Sequence, residues 1–151
     1  MEKENLSIGE INNYLNKKSG FLGVSGISSD CRDLCAAIEA GNERVKLALD
    51  MFCYQIKKYI GAYSAAMGGL DAIVFTAGIG ENTAIVRKLA CQGLEYLGAE
   101  LDEKVNDNVP RPINTTCLSK DSSKVKIYLI PTNEEYVIAS DTAEIVSNLK
   151  K

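Results

Sequence analysis

Three short stretches of the sequence carry the residue types that could bind a nucleotide or perform acid–base chemistry. The segment "SSDCRD", 28–33, places Asp30 and Arg32 in a polar loop that enters a predicted helix. "GIGEN", 78–82, follows one apolar run, and "NEE", 133–135, puts two carboxylates after another. The 151 residues include no histidine. Any acid, base or charge clamp must therefore be Asp, Glu, Lys, Arg or Tyr.

The glycine segment leaves two interpretations open. Gly78 and Gly80 would let a ligand approach the backbone, and a helix capped by Asn82 would direct unpaired N–H groups toward an anion. The dinucleotide pattern G-x-G-x-x-G fails at Thr83, and the Gly-Lys-Ser/Thr of a phosphate loop is absent because Glu81 stands there. On spacing alone, the segment is either a nucleotide or anion site or a glycine-rich turn that ends a buried strand.

The other two stretches each have a simpler explanation when taken separately. Asp30 is a good helix cap, and Glu134 and Glu135 suit the solvated first turn of a helix. However, "IPTNEE" directly follows a predicted strand, and ligands of α/β proteins usually lie at such strand ends. The three stretches together therefore favour a ligand site.

Composition excludes several classes of protein. A net charge of −3 and a pI near 5.1 leave no basic surface to neutralise the phosphates of a nucleic acid. No apolar run reaches the length of a membrane span, and the charged N-terminus does not resemble a signal peptide, which predicts a cytoplasmic protein. The five dispersed cysteines form no CxxC pair, so we expect reduced, buried thiols rather than a metal site.

Hydrophobic periodicity and breaker residues predict five helices and two strands. The predicted helices are 7–18, 30–40, 42–67, 82–97 and 133–151. The predicted strands are 72–76, expected to be buried on both faces, and 125–130. Residues 19–29 are expected to form an ordered loop or broken strand, and 102–124 an excursion of low regularity. In the last helix the predicted inward side chains are Val137, Ile138, Ala143, Ile145 and Val146.

This order of elements predicts an α/β fold with a small, mostly parallel sheet. Two strands cannot cover the apolar surface of five helices. The chain is therefore expected to be part of a larger protein.

Three longer segments, in this order, resemble the C-terminal part of acetate kinases. They are "NKKSGFLGVSGISSDCRDL", "VFTAGIGEN...VR" and "IPTNEEYVIASDT". The resemblance covers nearly the whole chain but less than half of a complete family member. It implies membership of the sugar kinase, Hsp70 and actin superfamily. Residues 1–151 would then be a single partial domain, helix-rich and ribonuclease H-like (actin-like ATPase), forming the nucleotide-binding part of the enzyme.

The resemblance also implies an activity and residue roles. The family uses Mg-ATP to phosphorylate acetate reversibly, giving acetyl phosphate and ADP. Asp30 and Arg32 match nucleoside contacts, Val86 would form an apolar wall against the adenine, and Glu134 matches a carboxylate associated with Mg²⁺. The loop lining the adenosine pocket and its neighbouring phosphate is matched by Gly78, Ile79, Gly80, Glu81 and Asn82.

No catalytic residue of the family is matched in this chain. The family's substrate-binding and transition-state-stabilising histidines and arginines lie upstream of the matched region, so we expect little activity from the chain alone. The resemblance to this family implies that the complete enzyme uses ATP and a short-chain carboxylate as substrates and forms a homodimer. Two alternatives stay open: a butyrate or propionate kinase, and a non-catalytic nucleotide-binding or assembly module.

Overall fold

A computed structural model describes residues 5–109 and 114–149. Within these ranges the chain forms eight α-helices, one 3₁₀ turn at Glu95–Leu97 and three strands. The helices are α1 (Ile8–Lys17), α2 (Gly20–Ser25), α3 (Cys31–Glu39), α4 (Glu43–Met67), α5 (Ala77–Asn82), α6 (Ala84–Cys91), α7 (Glu103–Asn108) and α8 (Glu134–Leu149). The strands are β1 (Ala72–Phe75), β2 (Thr116–Cys117) and β3 (Lys126–Leu129).

Side-chain caps explain where the first long helices begin. Ser7 forms a capping box with Glu10 at α1, the Asp30 carboxylate accepts the amide of Arg32 at α3, and Asn42 accepts the amide of Val45 at α4. Each cap satisfies an amide that has no partner within its helix. The predicted helices 7–18, 30–40 and 42–67 are therefore confirmed almost to the residue.

The sheet has the strand order β1-β3-β2. The longer pairing is parallel and runs from Ala72 opposite Lys126 to Phe75 opposite Leu129. β2 adds a short antiparallel pairing, with Thr116 opposite Leu129. The α/β class and the mostly parallel sheet are thus confirmed, while β2 and α7 lie in the segment 102–124 that was expected to be irregular.

Two clusters of buried residues form the core. The first packs the inner face of the sheet against the end of α6, and includes Phe75, Leu94, Ile127 and Leu129. The second joins α3, α4 and α6 through Cys31, Leu49, Cys53 and Val86. Burial of this apolar surface is the main favourable term that holds the helices on the sheet.

Two local predictions are wrong because short helices replace the expected structure. Residues 20–25 form α2 rather than a loop or strand, and Gly26 in the left-handed conformation (φ 76°) ends it. The predicted helix 82–97 is divided: Asn82 is the last residue of α5 instead of a cap, and α6 ends at Cys91. The glycines of "GIGEN" consequently lie inside α5 and not in a loop before a helix.

Two expected burial patterns are also wrong. β1 is buried on one face only, because Ala72 and Val74 are exposed. α8 has no buried residue, and its large apolar side chains are 43–80% exposed, including Ile138 at 66%. The uncovered strand face and helix agree with the expectation that the chain is part of a larger protein.

All five cysteines are free thiols. Cys31, Cys53 and Cys91 are buried as predicted, Cys35 is half-buried, and Cys117 is exposed. Burial raises the pKa of Cys53 and Cys91 to about 12, so both thiols stay protonated at neutral pH. Among residues 5–109 and 114–149, no group of three or more His, Cys, Asp or Glu side chains could hold a metal ion.

Candidate functional site

An open cleft of about 660 Å³ lies between the start of α3 and α5. Its walls come from 29–32 on one side and from Gly78, Ile79, Asn82 and Thr83 on the other. Two of the three stretches singled out in the sequence, separated by more than forty residues, therefore meet at one site. Asp30 and Arg32 face the glycine segment across this cleft.

Asp30 and Arg32 form an exposed ion pair at the mouth of α3. The Asp30 carboxylate accepts hydrogen bonds from the amide and from the guanidinium of Arg32, with Nε 3.0 Å from Oδ1. The hydrogen bond from the Arg32 side chain, helped by that from its amide, lowers the pKa of Asp30 to about 2. Asp30 is therefore ionised at neutral pH. Both side chains are exposed to the cleft, and an ionised carboxylate is suited to accept hydrogen bonds from hydroxyl groups.

The two glycines of the segment have different surroundings. A Cβ added at Gly78 would meet nothing within 4 Å, which leaves the backbone open to the cleft. A Cβ at Gly80 would lie 3.5–3.7 Å from Phe75, so Gly80 packs on the end of β1. Ala77 begins α5 with φ 59°, a conformation that is uncommon for a residue with a side chain. Only Gly78 fits the idea of close backbone approach by a ligand.

The remaining polar group of the glycine segment that lines the cleft is Asn82. Its Nδ2 donates to the carbonyl oxygen of Gly78 at 2.8 Å, so the side chain forms a hydrogen bond within α5. The anion site expected at a helix N-terminus after Asn82 does not fit this arrangement. α5 has only six residues, and Thr83, which precedes the first residue of α6, provides no side-chain cap.

Val86, expected to form an apolar wall of the nucleotide pocket, does not line the cleft in this structure. Val86 is 1% exposed and packs with Leu49 and Cys53 in the core. Ile79 is the large apolar side chain in the cleft lining. Val86 belongs to the buried cluster against which Ile79 packs, and Ile79 lies where it can contact a planar apolar group in the cleft.

Glu81 points toward the third stretch of the sequence. Its Oε1 accepts hydrogen bonds from the amide and the hydroxyl of Thr132, both at 2.8 Å. Glu81 is not among the residues that line the cleft. Its carboxylate instead tethers α5 to the loop that leads into α8.

Glu134 and Glu135 lie at the other end of this tether. With Thr132 and Asn133 they line a shallow polar depression of about 300 Å³, and all four residues are exposed. Asn133 caps α8 by accepting the amide of Tyr136. Mg²⁺ takes few protein oxygens and keeps waters or phosphates as its other ligands, so one or two exposed carboxylates fit it.

Sequence reasoning overlooked three residues around α5: Thr132, Arg87 and Asn106. Arg87 belongs to the quoted segment "VFTAGIGEN...VR" and could have been noticed there. Asn106 gave no signal, because its segment is polar and lacks helical periodicity. In the structure Asn106 is 1% exposed and hydrogen-bonded to Arg87.

Comparison with known proteins identifies relatives over nearly the full sequence. The model that describes the Acetokinase family matches residues 1–140. The acetate kinase of Carboxydothermus hydrogenoformans is 56% identical over 147 residues, which are 97% of this chain and 36% of that protein. The acetate kinase of Caldicellulosiruptor bescii is 53% identical over 147 residues, 97% of this chain and 37% of that protein.

Solved structures agree with the sequence matches. The crystal structure of Porphyromonas gingivalis acetate kinase superposes with a TM-score of 0.85 at 50% identity, covering 97% of this chain and 36% of that one. A propionate kinase from Francisella tularensis subsp. tularensis SCHU S4 gives a TM-score of 0.77 at 36% identity, covering 89% of this chain and 33% of that one.

The chain thus spans about a third of the length of these relatives. Its helix-rich α/β structure corresponds to part of their actin-like ATPase fold. The described residues contain no helix that is both long and apolar enough to cross a bilayer. With a family match over most of its residues and relatives above 50% identity, the chain belongs to the acetokinase family.

Proposed function

We propose that this chain is the nucleotide-binding part of an acetate kinase, a phosphotransferase that uses ATP and acetate. The observation that carries the proposal is the cleft in which Asp30 and Arg32 face Gly78, Ile79 and Asn82. The relatives named acetate kinase share more than half of their aligned residues with this chain.

In this proposal the cleft binds the adenosine end of the nucleotide. The ionised Asp30 accepts hydrogen bonds from ribose hydroxyls, and Arg32 donates to the sugar or stacks on the base. Ile79 contacts the adenine, while the open backbone at Gly78 allows the neighbouring phosphate to approach. Gly80, Glu81 and Val86 act behind these contacts by shaping and holding α5.

Mg²⁺ would associate with Glu134, whose loop is tied to α5 through the bond between Glu81 and Thr132. When bound, the ion supplies positive charge that offsets the phosphates. Glu134 needs to provide only one oxygen, directly or through water. Its exposed position at the first turn of α8 permits either arrangement.

Phosphoryl transfer itself requires cationic groups in addition to the residues of the cleft and Glu134. An acetate oxygen forms the new bond to the γ-phosphorus as the bond to the leaving ADP oxygen breaks, and cationic groups stabilise the charge that develops. The chain has no histidine. Of the arginines in the described residues, Arg44 donates to the Val24 carbonyl and Arg87 is buried, while Arg32 is assigned to the nucleoside. We therefore propose little turnover by the chain alone, and a homodimeric, cytoplasmic complete enzyme.

Gly78→Val tests the nucleotide assignment. The Cβ of the new side chain would meet no atom within 4 Å, so we expect the fold to persist while the side chain narrows the cleft. The Kd for ADP, measured by calorimetry on this chain, should then rise roughly ten-fold or more. Gly9→Val is the matched control, because Gly9 in α1 also meets nothing within 4 Å and lies outside the cleft. Unchanged ADP affinity in Gly78→Val, with the fold intact, would contradict the proposal.

A further inference from the structure

Arg87 is a buried cation that the proposed nucleotide contacts do not use. Its side chain is 2% exposed, on the inner face of α6. Burial in the protein lowers its pKa, although the nearby Asp107 acts in the opposite direction. Placing an arginine in such surroundings is costly unless its donors are satisfied. The hydrogen-bond partners of Arg87 must therefore offset the cost of burying its charge.

The guanidinium joins α5 to α7. Nη1 donates to the carbonyl oxygens of Gly80 at 2.8 Å and Glu81 at 3.0 Å. Nε donates to Oδ1 of Asn106 at 2.7 Å, and Nη2 to the Asn106 carbonyl oxygen at 3.1 Å. A planar fork with five donors can make these bonds at once, which a lysine cannot do.

Asn106 completes the connection from the other side. Its amide nitrogen donates to the carbonyl oxygen of Ala84, the first residue of α6, at 3.1 Å, and to Asp107 at 2.9 Å. Asn106 is thus bonded to the start of α6 while its oxygen holds Arg87. Together, these two side chains connect the end of α5, the start of α6 and α7.

α5 depends on such outside support. A helix of six residues has few internal hydrogen bonds and is not stable by itself. Its first residue, Ala77, already lies in an unfavourable backbone region. The carbonyl groups that Arg87 holds belong to Gly80 and Glu81, directly beside Ile79 and Asn82 in the cleft wall.

We propose that Arg87 and Asn106 are positioning residues that fix α5, and with it the wall of the nucleotide cleft, without touching the nucleotide. Neither residue lines the cleft. The effect on ligand affinity rests on the proposed function above. The effect on the order of α5 does not rest on the proposed function, so the order of α5 and the ligand affinity can be tested separately.

The experiment compares Asn106→Ala and Arg87→Lys with a matched control, Ser123→Ala, in the same chain. Ser123 is also buried, at 3% exposure, and its hydroxyl bonds the backbone at Gly98, Glu100 and Val125, outside α5 and α6. Arg87→Lys keeps the charge but loses the fork. Amide hydrogen exchange is measured for 81–83, which are the last two residues of α5 and its C-cap, and for α4. ADP affinity is measured by calorimetry under conditions where each variant is folded.

We expect the amides of 81–83 to exchange about ten-fold faster or more in both variants while the amides of α4 keep their protection. The Kd for ADP should rise roughly ten-fold, by analogy with the loss of affinity at metal sites when the residues that orient the ligands are removed. Ser123→Ala should change neither. If Arg87→Lys fails to fold, Asn106→Ala alone decides the question.

Normal protection of 81–83 in Asn106→Ala would overturn the proposal, as would equal loss of α5 protection in Ser123→Ala. Unchanged ADP affinity in a variant whose α5 amides exchange faster would also overturn it. If the unaltered chain binds no ADP, the proposed nucleotide site fails in this chain. The exchange comparison would then still decide whether Arg87 and Asn106 position α5.

Discussion

The regions around α5 and α8 both carry candidate site residues, but they differ in how firmly the rest of the chain holds them in place. α5 is held from the inside by the buried Arg87 and from the outside through Glu81 and Thr132. α8 carries Glu134 at its start and has no buried residue along its sixteen positions. The comparison shows that the cleft wall is specified by contacts within this chain. Among the described residues, no such buried contact fixes the orientation of α8, and its exposed apolar side chains are typical of a surface that packs against another element.

The largest expected effect tests this contrast with one substitution made in both regions. Ile127→Ala in β3 removes a side chain with 0% exposure and should lower the free energy of unfolding by about 2–5 kcal/mol. Ile138→Ala in α8, 66% exposed, should change it by less than about 0.5 kcal/mol. Urea denaturation of the two variants measures both values. A cost above about 2 kcal/mol for Ile138→Ala would mean that α8 is packed in this chain.

The same contrast explains which parts of the fold sequence reasoning predicted well. α3 and α4 have a capping side chain and a periodic apolar face that is buried, so both local signals agree with the packing. α1 has the same two signals and forms as predicted, although it contains no buried residue. α2, α5 and α7 are each only six residues long. Such helices are stabilised by contacts distant in sequence, and a pattern read over a longer window cannot show them.

The prediction for α8 failed for a different reason. Its apolar positions are spaced as in a helix that buries one face, and the helix exists, but that face is exposed among the residues that the structure describes. Burial depends on a partner surface, which periodicity alone does not reveal. The candidate site shows the same division: Asp30, Arg32 and the glycine segment could be identified by residue type, whereas Asn106 and Thr132 could not.

A second prediction uses pH to probe the ion pair on the open side of the cleft. The pKa of Asp30 falls from its ordinary value of 3.8 to about 2 in the folded state, because it accepts hydrogen bonds from Arg32. The ion pair therefore stabilises the fold above pH 4, and this contribution is lost as pH falls from about 4 to 2.

Asp30→Asn isolates this contribution, since asparagine also caps helices well but does not ionise in this range. The difference in unfolding free energy between the unaltered chain and the variant should shrink as pH decreases from 5 toward 2. Urea titrations at several pH values measure it, and the subtraction removes acid effects common to both proteins, such as that of Glu10. A difference that stays constant over this range would show that Asp30 titrates normally.

The smallest expected effect concerns the tether between the two regions. Thr132→Val removes the hydroxyl that donates to Glu81 but keeps the side-chain shape and the backbone amide that also donates. Because the bond is exposed, the cost in unfolding free energy should be only about 0.5 kcal/mol. If Glu81 orients the loop before α8, the backbone amides at positions 132 and 133 should nevertheless exchange faster in the variant. The amides of 81–83 should stay protected, because Arg87 still holds them.

Thr142→Val is the matched control, since the Thr142 hydroxyl is also exposed and bonds only within α8, to Ile138. Equal exchange at the loop in Thr132→Val and the unaltered chain would show that the backbone amide alone is a sufficient tether.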